Sequence, residues 1–160
     1  MGLHPAPLVV AMLVLAAACV GFVPLNWPPA RMFMGDVGSG FLGFVIGVFA
    51  LATIVSGTLS VWTWILLSGT FLTDATVTLL RRLSRGENIR QAHRSHAYQW
   101  LARKWQSHRR VTLCYIAVNV AWLLPLAWLS VRWHHLGPIF SACGILRLVA
   151  AAVISGAGKA

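Results

Sequence analysis

Apolar residues fill five long blocks of the chain, and polar stretches separate these blocks. A helix needs roughly 20 predominantly apolar residues to cross the hydrocarbon core of a bilayer. The fold predicted is therefore an all-α, polytopic transmembrane bundle that forms one domain over residues 1–160. The five predicted spans are about Pro7–Val23, Ser39–Val55, Leu59–Leu80, Val111–Val131 and Gly137–Ser155.

Two of these blocks carry a charged residue. Asp74 lies in the third block, and Arg147 lies near the middle of the fifth. Charged side chains inside a membrane are costly and usually face a neighbouring helix or a polar cavity. We therefore expect the fifth span either to tilt or to place the Arg147 guanidinium between neighbouring helices.

The polar connections are of two kinds. Ser56–Thr58 and Arg132–Leu136 are short, whereas Pro24–Gly38 and Arg81–Arg110 are longer and polar. Loops rich in Lys and Arg face the cytoplasm. Counting two spans back from the basic loop puts Pro24–Gly38 on the same side, with the N-terminus outside. The sequence thus predicts that both polar loops meet at the cytoplasmic face, as an active site there would require.

Composition and charge agree with a membrane protein. The chain is 58% hydrophobic and only 10% charged, and its mean hydropathy is +0.74, whereas about a quarter of the residues in soluble domains are charged. The net charge is +10, but nine of the thirteen Lys and Arg residues lie between Arg81 and Arg110. Because that cluster separates two apolar blocks, it indicates a topology-setting loop rather than a nucleic-acid surface, whose binding would be salt-sensitive.

A short amphipathic helix is predicted inside the basic loop. Ile89–His108 has a weak helical pattern in which Trp100, Leu101 and Trp105 stand among basic residues. Such a segment lies in the headgroup region of a membrane. The simpler interpretation is a basic juxtamembrane helix that only fixes the topology of the chain.

The first candidate for chemistry is the loop that contains Asn26, Arg31 and Asp36, just before a helix predicted to begin near Ser39. Helix N-termini bind phosphate through free N–H groups. Mg²⁺ usually takes one or two carboxylates together with phosphate oxygens, so Asp36 could be its ligand. The alternative is that Asp36 is only a favourable charge at a helix N-terminus.

Asp74 is the second candidate. An acidic residue inside an apolar helix is a hypothesis for a functional site. Thr78 and Arg81 fall on the same helical face, at i+4 and i+7, so a structural ion pair between Asp74 and Arg81 is the competing interpretation.

The third candidate is the segment that contains His93, Arg94 and His96. A helix would place both histidines on one face. Guanidinium and imidazole groups together suit a diphosphate, because they neutralise the oxygens and can relay a proton. Zinc binding could use the same spacing, but no Cys or further acid accompanies the histidines. Solvated loop histidines without a role are the other alternative.

Together these motifs resemble the polyprenyl-phosphate N-acetylhexosamine-1-phosphate transferases of glycosyltransferase family 4. Residues 26–43, NWPPARMFMGDVGSGFLG, are similar to the cytoplasmic Asp loop of that family. Asp74-Ala75-Thr76 followed by Arg81-Arg82 resembles its D-x-T and R-R segment. Residues 93–99, HRSHAYQ, resemble its histidine loop and are nearest to the branch that initiates O-antigen synthesis in lipopolysaccharide.

The resemblance implies a reaction and a location. A sugar-1-phosphate would pass from a UDP-N-acetylhexosamine to undecaprenyl phosphate, with release of UMP. The lipid tail of the acceptor would lie in a groove between helices, among membrane lipids. The enzyme would be a multi-pass protein of the bacterial inner membrane, with its active site at the cytoplasmic face.

The resemblance also implies roles for the polar residues. Asp36 would hold Mg²⁺, with Mn²⁺ as the alternative. Arg81 and Arg82 would hold phosphate or enforce orientation. Asp74, counted with them among the substrate-binding residues, would support the network of Mg²⁺ and arginines from the membrane edge. The side chains expected to orient or neutralise the UDP-sugar diphosphate are Asn26, His93, Arg94 and His96. The residues expected to be catalytic are Asp36, His93 and His96.

The chain departs from the family pattern in one respect. Family members are longer, and their N-terminal half supplies an Asp-Asp pair and a loop ending in D-G-x-D-G, neither of which occurs here. The sequence therefore resembles the C-terminal half only: a truncated product, a fragment, or half of a split enzyme. We expect no turnover by the chain alone, and a separate N-terminal half or a homodimer to be its partner.

Two other functions stay open on sequence grounds. One is a non-catalytic membrane fragment that binds nucleotide sugar or lipid. The other is a small transporter or channel subunit that uses Asp74 and Arg147 as buried charges.

Overall fold

The computed structural model of the protein describes residues 5–86 and 96–155, which form helices and turns and no β-strand. The chain divides into two compact units, Met1–Leu59 and Ser60–Ala160. Within the described residues, four helices are long and apolar enough to cross a membrane, and a bent pair of helices makes up to five. The predicted all-α, polytopic architecture is confirmed.

The first unit contains two long helices, α1 (Pro5–Asn26) and α2 (Gly35–Val55). Both predicted spans are confirmed, but α2 begins at Gly35 rather than near Ser39. Gly35 has φ +67°, a conformation that glycine adopts without strain, so the chain turns directly from the loop into the helix. Asp36 consequently lies in the first turn of α2 and not in the loop before it.

The second unit contains the other helices. A π-helical segment, Asn119–Leu123, joins α6 to α7, and a short 3₁₀ turn, His134–Leu136, precedes the last helix. The α6–α7 span and the last span confirm the predictions for those parts of the chain. The helices are α3 (Val61–Leu67), α4 (Gly69–Ser84), α5 (Ala97–Trp105), α6 (His108–Val118), α7 (Leu124–Arg132) and α8 (Gly137–Ser155).

The predicted third span, Leu59–Leu80, is broken. α3 and α4 meet at an angle of 80° about Ser68, whose N–H donates to the Trp64 carbonyl at 3.0 Å while its own carbonyl accepts from Leu72. Both backbone polar groups of Ser68 are therefore satisfied at the break, as a bilayer requires. Gly69 is buried, and a Cβ there would lie 3.1 Å from Leu123 Cδ1, so the bend depends on close packing against the π segment.

Hydroxyl groups join α3 to the last two helices. Thr63 Oγ1 and Ser130 Oγ lie 2.8 Å apart, and Ser141 Oγ donates to the Trp62 carbonyl at 2.9 Å. Interhelical hydrogen bonds of this kind help hold transmembrane helices together where the hydrophobic effect between them is absent. They fix α3 between α7 and α8.

A side chain of the π segment supplies hydrogen bonds to the neighbouring backbone and to α4. Asn119 Nδ2 donates to the Tyr115 carbonyl at 2.7 Å, and the Asn119 amide is also hydrogen-bonded to Thr70 of α4. In the same segment the Trp122 ring receives the Arg147 guanidinium at 4.4 Å. Arg147 thus finds a neighbouring helix, while α8 keeps its full predicted length.

The short helix predicted inside the basic loop is present as α5, but it begins at Ala97. His96 has an extended backbone (φ −67°, ψ 149°) and precedes the helix. The helix that would have placed His93 and His96 on one face therefore does not include His96. Ala97 and Ala102 are buried, Trp105 is exposed, and the helix is amphipathic as predicted. Residues 87–95, which include His93 and Arg94, lie outside the described part of the chain.

Close packing at Gly144 should make α8 sensitive to side-chain volume. A Cβ at Gly144 would lie 2.6 Å from Cδ2 of the fully buried Leu66. We expect Gly144→Ala to destabilise the second unit by about 1–3 kcal/mol, as overpacking does. Circular dichroism during SDS titration of the chain in detergent would measure this loss. Cys143→Ala, at an exposed neighbour, should change little, and a fully stable Gly144→Ala would contradict the packing.

Candidate functional site

The loop between α1 and α2 folds back on the end of α1. Asn26 Nδ2 donates to the Met32 carbonyl at 2.9 Å, and the N–H groups of Arg31 and Met32 both donate to the Leu25 carbonyl, at 2.9 and 3.1 Å. These bonds satisfy a carbonyl at the end of the helix that has no intrahelical partner. Asn26, which the sequence places among the substrate-binding residues, therefore holds the shape of residues 27–34, the loop that leads to Asp36 and is called the Asp36 loop below.

The Asp36 side chain is exposed in the first turn of α2. The partial positive charge of a helix N-terminus stabilises a carboxylate there, and the Asp36 carbonyl accepts from Ser39 Oγ at 3.2 Å. An exposed carboxylate is the kind of oxygen donor that Mg²⁺ accepts, provided that phosphate and water supply its other ligands.

The donor set also limits what metal site is possible. The described ranges, 5–86 and 96–155, hold no group of three or more His, Cys, Asp or Glu side chains that could bind a metal ion. The Asp36 carboxylate alone is one ligand, and a metal ion held there would take its other ligands from a substrate or from water.

Asp74 lies on α4 and is 7% exposed. Its Oδ1 accepts from the Ala97 N–H at 2.8 Å and from Thr78 Oγ1 at 3.3 Å, and His96 Nδ1 lies 3.7 Å away. Thr78 lies on the same face of α4 as Asp74, as predicted. In place of the ion pair with Arg81 that sequence left open, Asp74 meets a helix N-terminus and a histidine.

His96 is the residue that precedes the first turn of α5. Its N–H donates to Gln99 Oε1 at 3.3 Å, and its ring stacks on Tyr98 with 5.8 Å between ring centroids. A Gln at the third helical position that reaches back to the residue before the helix is half of a capping box. The spacing of His96 and Gln99 is the local signal that could have predicted this start.

A cleft of about 410 Å³ opens between α4, α5 and α6. Its walls are mostly apolar, but Asp74 and His96 both line it. The other polar residues along it are Thr70, Tyr98, Thr112 and Tyr115. Sequence reasoning did not assign a role to Thr70, Thr112 or Tyr115, because each lies inside an apolar block with no motif around it.

The two arginines at the end of α4 have different surroundings. Arg81 is half-buried and donates to the Val153 carbonyl of α8 at 3.5 Å, whereas Arg82 is 4% exposed. A buried guanidinium has to be paired with polar groups. The sequence predicted the same phosphate-binding role for both arginines, but their side chains differ in exposure.

The structure brings some of the predicted residues together. Asn26 and Asp36 lie on the two helices that flank one loop of the first unit, and Asp74 and His96 meet within the second unit. His93 and Arg94 fall outside the described residues. Their predicted roles stay predictions, as does the single domain over residues 1–160.

Several known proteins are similar to this chain. The family model described as glycosyl transferase family 4 matches residues 3–54. A probable undecaprenyl-phosphate N-acetylglucosaminyl 1-phosphate transferase of Bacillus subtilis is 33% identical over 103 residues, which is 63% of this chain and 29% of the relative. A decaprenyl-phosphate N-acetylglucosaminephosphotransferase of Mycolicibacterium smegmatis is 33% identical over 130 residues, 71% of this chain and 32% of the relative.

A second type of relative matches a shorter stretch. A phospho-N-acetylmuramoyl-pentapeptide-transferase of Synechocystis is 46% identical over 61 residues, 38% of this chain and 15% of the relative. The matched part of the chain spans less than a third of each of these three relatives. No solved structure matches.

The Asn26 bond should protect the Asp36 loop from proteolysis. We expect Asn26→Ala to speed trypsin cleavage after Arg31 by roughly two- to tenfold, since a neutral hydrogen bond contributes about 0.5–1.5 kcal/mol and cleavage follows local opening. Mass spectrometry of timed digests would measure the rate. Ser39→Ala removes a hydroxyl from α2 itself and should leave cleavage unchanged. Equal rates for Asn26→Ala and the unsubstituted chain would contradict this role for Asn26.

Proposed function

The chain belongs to glycosyl transferase family 4, and from that membership we propose that it forms part of an enzyme that transfers an N-acetylhexosamine-1-phosphate. The donor is a UDP-N-acetylhexosamine, the acceptor is undecaprenyl phosphate, and UMP is released. The observation that carries the proposal is the family match over residues 3–54, which includes the whole Asp36 loop. The names of the Bacillus and Mycolicibacterium relatives support a polyprenyl phosphate as acceptor.

The proposed reaction is a phosphoryl transfer. A phosphate oxygen of the lipid attacks the β-phosphorus of the donor, and the bond from that phosphorus to the oxygen bridging to the α-phosphate breaks, so that the electron pair leaves on UMP. Catalysis of this kind depends on positioning the two phosphates and neutralising their charge. Mg²⁺, or Mn²⁺ in its place, would neutralise phosphate charge when bound at Asp36.

The remaining predicted residues act on charge and orientation in this proposal. Asn26 keeps the Asp36 loop folded against α1, and His93, Arg94 and His96 orient the donor diphosphate. The oxygens of a diphosphate accept well from guanidinium and imidazole N–H groups. In this proposal Arg81 and Arg82 hold phosphate or set the orientation of the chain in the membrane.

The cleft between α4 and α6 supports a lipid acceptor. It is mostly apolar and lies beside Asp74 and His96, so the first units of a polyprenyl chain could lie in it with the lipid phosphate at its polar end. The basic cluster of residues 81–110 supports a cytoplasmic position for that end. We place the protein in the bacterial inner membrane, with its active face toward the cytoplasm.

A second candidate function rests on the extent of the match. The aligned part of the chain covers less than a third of the relatives, and the chain holds three acidic residues in all. A membrane protein that binds nucleotide sugar or lipid without turnover would have these features. It would act without a partner, whereas the transferase needs a separate N-terminal half or a second copy.

Co-expression tests the transferase. The chain is expressed with the N-terminal half of a related transferase, and membranes are assayed for UMP release from UDP-GlcNAc and other UDP-sugars with undecaprenyl phosphate and Mg²⁺. We expect activity from the pair and none from the chain alone. Asp36→Asn and His93→Ala should each lower the rate by roughly 100-fold or more, as loss of a group that stabilises transition-state charge does.

Controls separate the two candidate functions. Cys143→Ala, on the exposed face of α8, should keep full activity, and co-purification shows whether the two halves assemble. An assembled pair that releases no UMP from any donor, yet still binds UDP-GlcNAc or the lipid in equilibrium dialysis, would favour the binding protein. Full activity of Asp36→Asn would exclude the metal role of Asp36.

A further inference from the structure

The start of α5 poses a physical problem that Asp74 solves. The first N–H groups of a helix have no partner within the helix, and Ala97, the first residue of α5, is 3% exposed. A buried N–H without an acceptor is strongly unfavourable. The acceptor here is a carboxylate from another helix, because Asp74 Oδ1 lies 2.8 Å from the Ala97 nitrogen.

Asp74 depends on α5 in the same way. A carboxylate that is 7% exposed is stable only when hydrogen-bond donors or positive charge surround it. The Ala97 N–H, the Thr78 hydroxyl and the His96 ring all approach Oδ1, and the positive end of α5 adds a favourable field. Without Asp74 the buried Ala97 N–H would lose its acceptor, and without α5 the carboxylate would lose its contacts with Ala97 and His96, so the two are energetically coupled.

This contact closes a loop of the chain that contains the predicted donor-binding residues. Asp74 and Ala97 are 23 residues apart, and His93, Arg94 and His96 lie between them in sequence. His96 is fixed twice, because its backbone N–H is bonded to Gln99 and its ring faces Asp74. The position of His96, the last residue of that stretch before α5, is thus fixed by a residue of α4.

We propose that Asp74 is a positioning residue that anchors the N-terminus of α5 and thereby orients His96, and that it binds neither metal nor substrate. The part that concerns His96 rests on the proposed transferase function. The anchoring of α5 does not, so the two can be tested separately.

One isotope-labelling scheme isolates the critical N–H group. The sequence contains a single His–Ala pair, His96-Ala97. Chain labelled with carbonyl-¹³C histidine and ¹⁵N alanine therefore gives one HNCO signal, that of the Ala97 amide, in detergent micelles. We expect slow hydrogen exchange of this amide, and exchange faster by roughly tenfold or more in Asp74→Ala, because a hydrogen bond to a charged group is lost.

The conservative variant keeps the test decisive if Asp74→Ala does not fold. Asp74→Asn retains an acceptor oxygen but loses the charge, and charge-assisted bonds are about twice as strong as neutral ones. We expect its Ala97 proton signal to move upfield and its exchange rate to fall between those of wild type and Asp74→Ala. An Ala97 signal and exchange rate unchanged in either variant would overturn the anchoring.

Thr73→Val is the matched control. Thr73 precedes Asp74 on α4 and is equally buried, and its hydroxyl has no hydrogen-bond partner in the described structure. Substituting it tests the effect of disturbing the same stretch of helix without touching Oδ1. The Ala97 signal should stay where it is, and a shift as large as that of Asp74→Asn would show that the signal reports packing and not the bond.

The orienting effect is tested in the co-expressed enzyme by a double-mutant cycle. Asp74→Ala should lower kcat roughly tenfold in wild type and little further in His96→Ala, because both changes remove the same oriented group. Asp74→Asn should restore most of kcat. Additive losses would overturn the orienting role even with the Ala97 bond intact. Absence of activity in every pair would overturn the proposed function and leave the Ala97 measurement to decide the anchoring.

Discussion

Inside a bilayer, every backbone N–H and C=O has to find its partner within the protein, and the second unit is organised around that requirement. Regular helices meet it by themselves. The unit departs from regular helix at the bend after α3, at the π segment and at the start of α5. The missing hydrogen bonds are supplied by the backbone of Ser68, by the side chain of Asn119 and, from another helix, by the carboxylate of Asp74.

The last of these contacts connects the fold to the chemistry. An acid inside an apolar helix suggests a ligand or proton carrier, yet Asp74 Oδ1 contacts a helix N-terminus, the Thr78 hydroxyl and a histidine. Its burial becomes tolerable because α5 supplies the donors. The Asp36 carboxylate, in the first turn of α2, is exposed instead. Asp36 is therefore open to a ligand, whereas Asp74 is suited to hold other parts of the protein in place.

Hydropathy predicted α1, α2, the α6–α7 span and α8 correctly, since long apolar runs leave few alternatives. It did not predict the bend at Ser68, because the run Leu59–Leu80 contains no proline and the tight space at Gly69, where a Cβ would meet Leu123, involves residues far apart in sequence. The resemblance pointed to Asp36 and Asp74 as candidate site residues, and their roles stay predictions. The partnership of Asp74 with Ala97 has no local sequence signal, because 23 residues separate them and only packing brings them together.

The shortness of α3 has a consequence for biosynthesis. Its seven residues rise only about 10 Å, roughly a third of the hydrocarbon thickness, so α3 cannot cross the bilayer as an independent segment. Thr63 and the Trp62 carbonyl find their partners in Ser130 and Ser141, which the ribosome makes some seventy residues later. The hydrogen bonds that fix α3 can therefore form only after the last two helices have been synthesised.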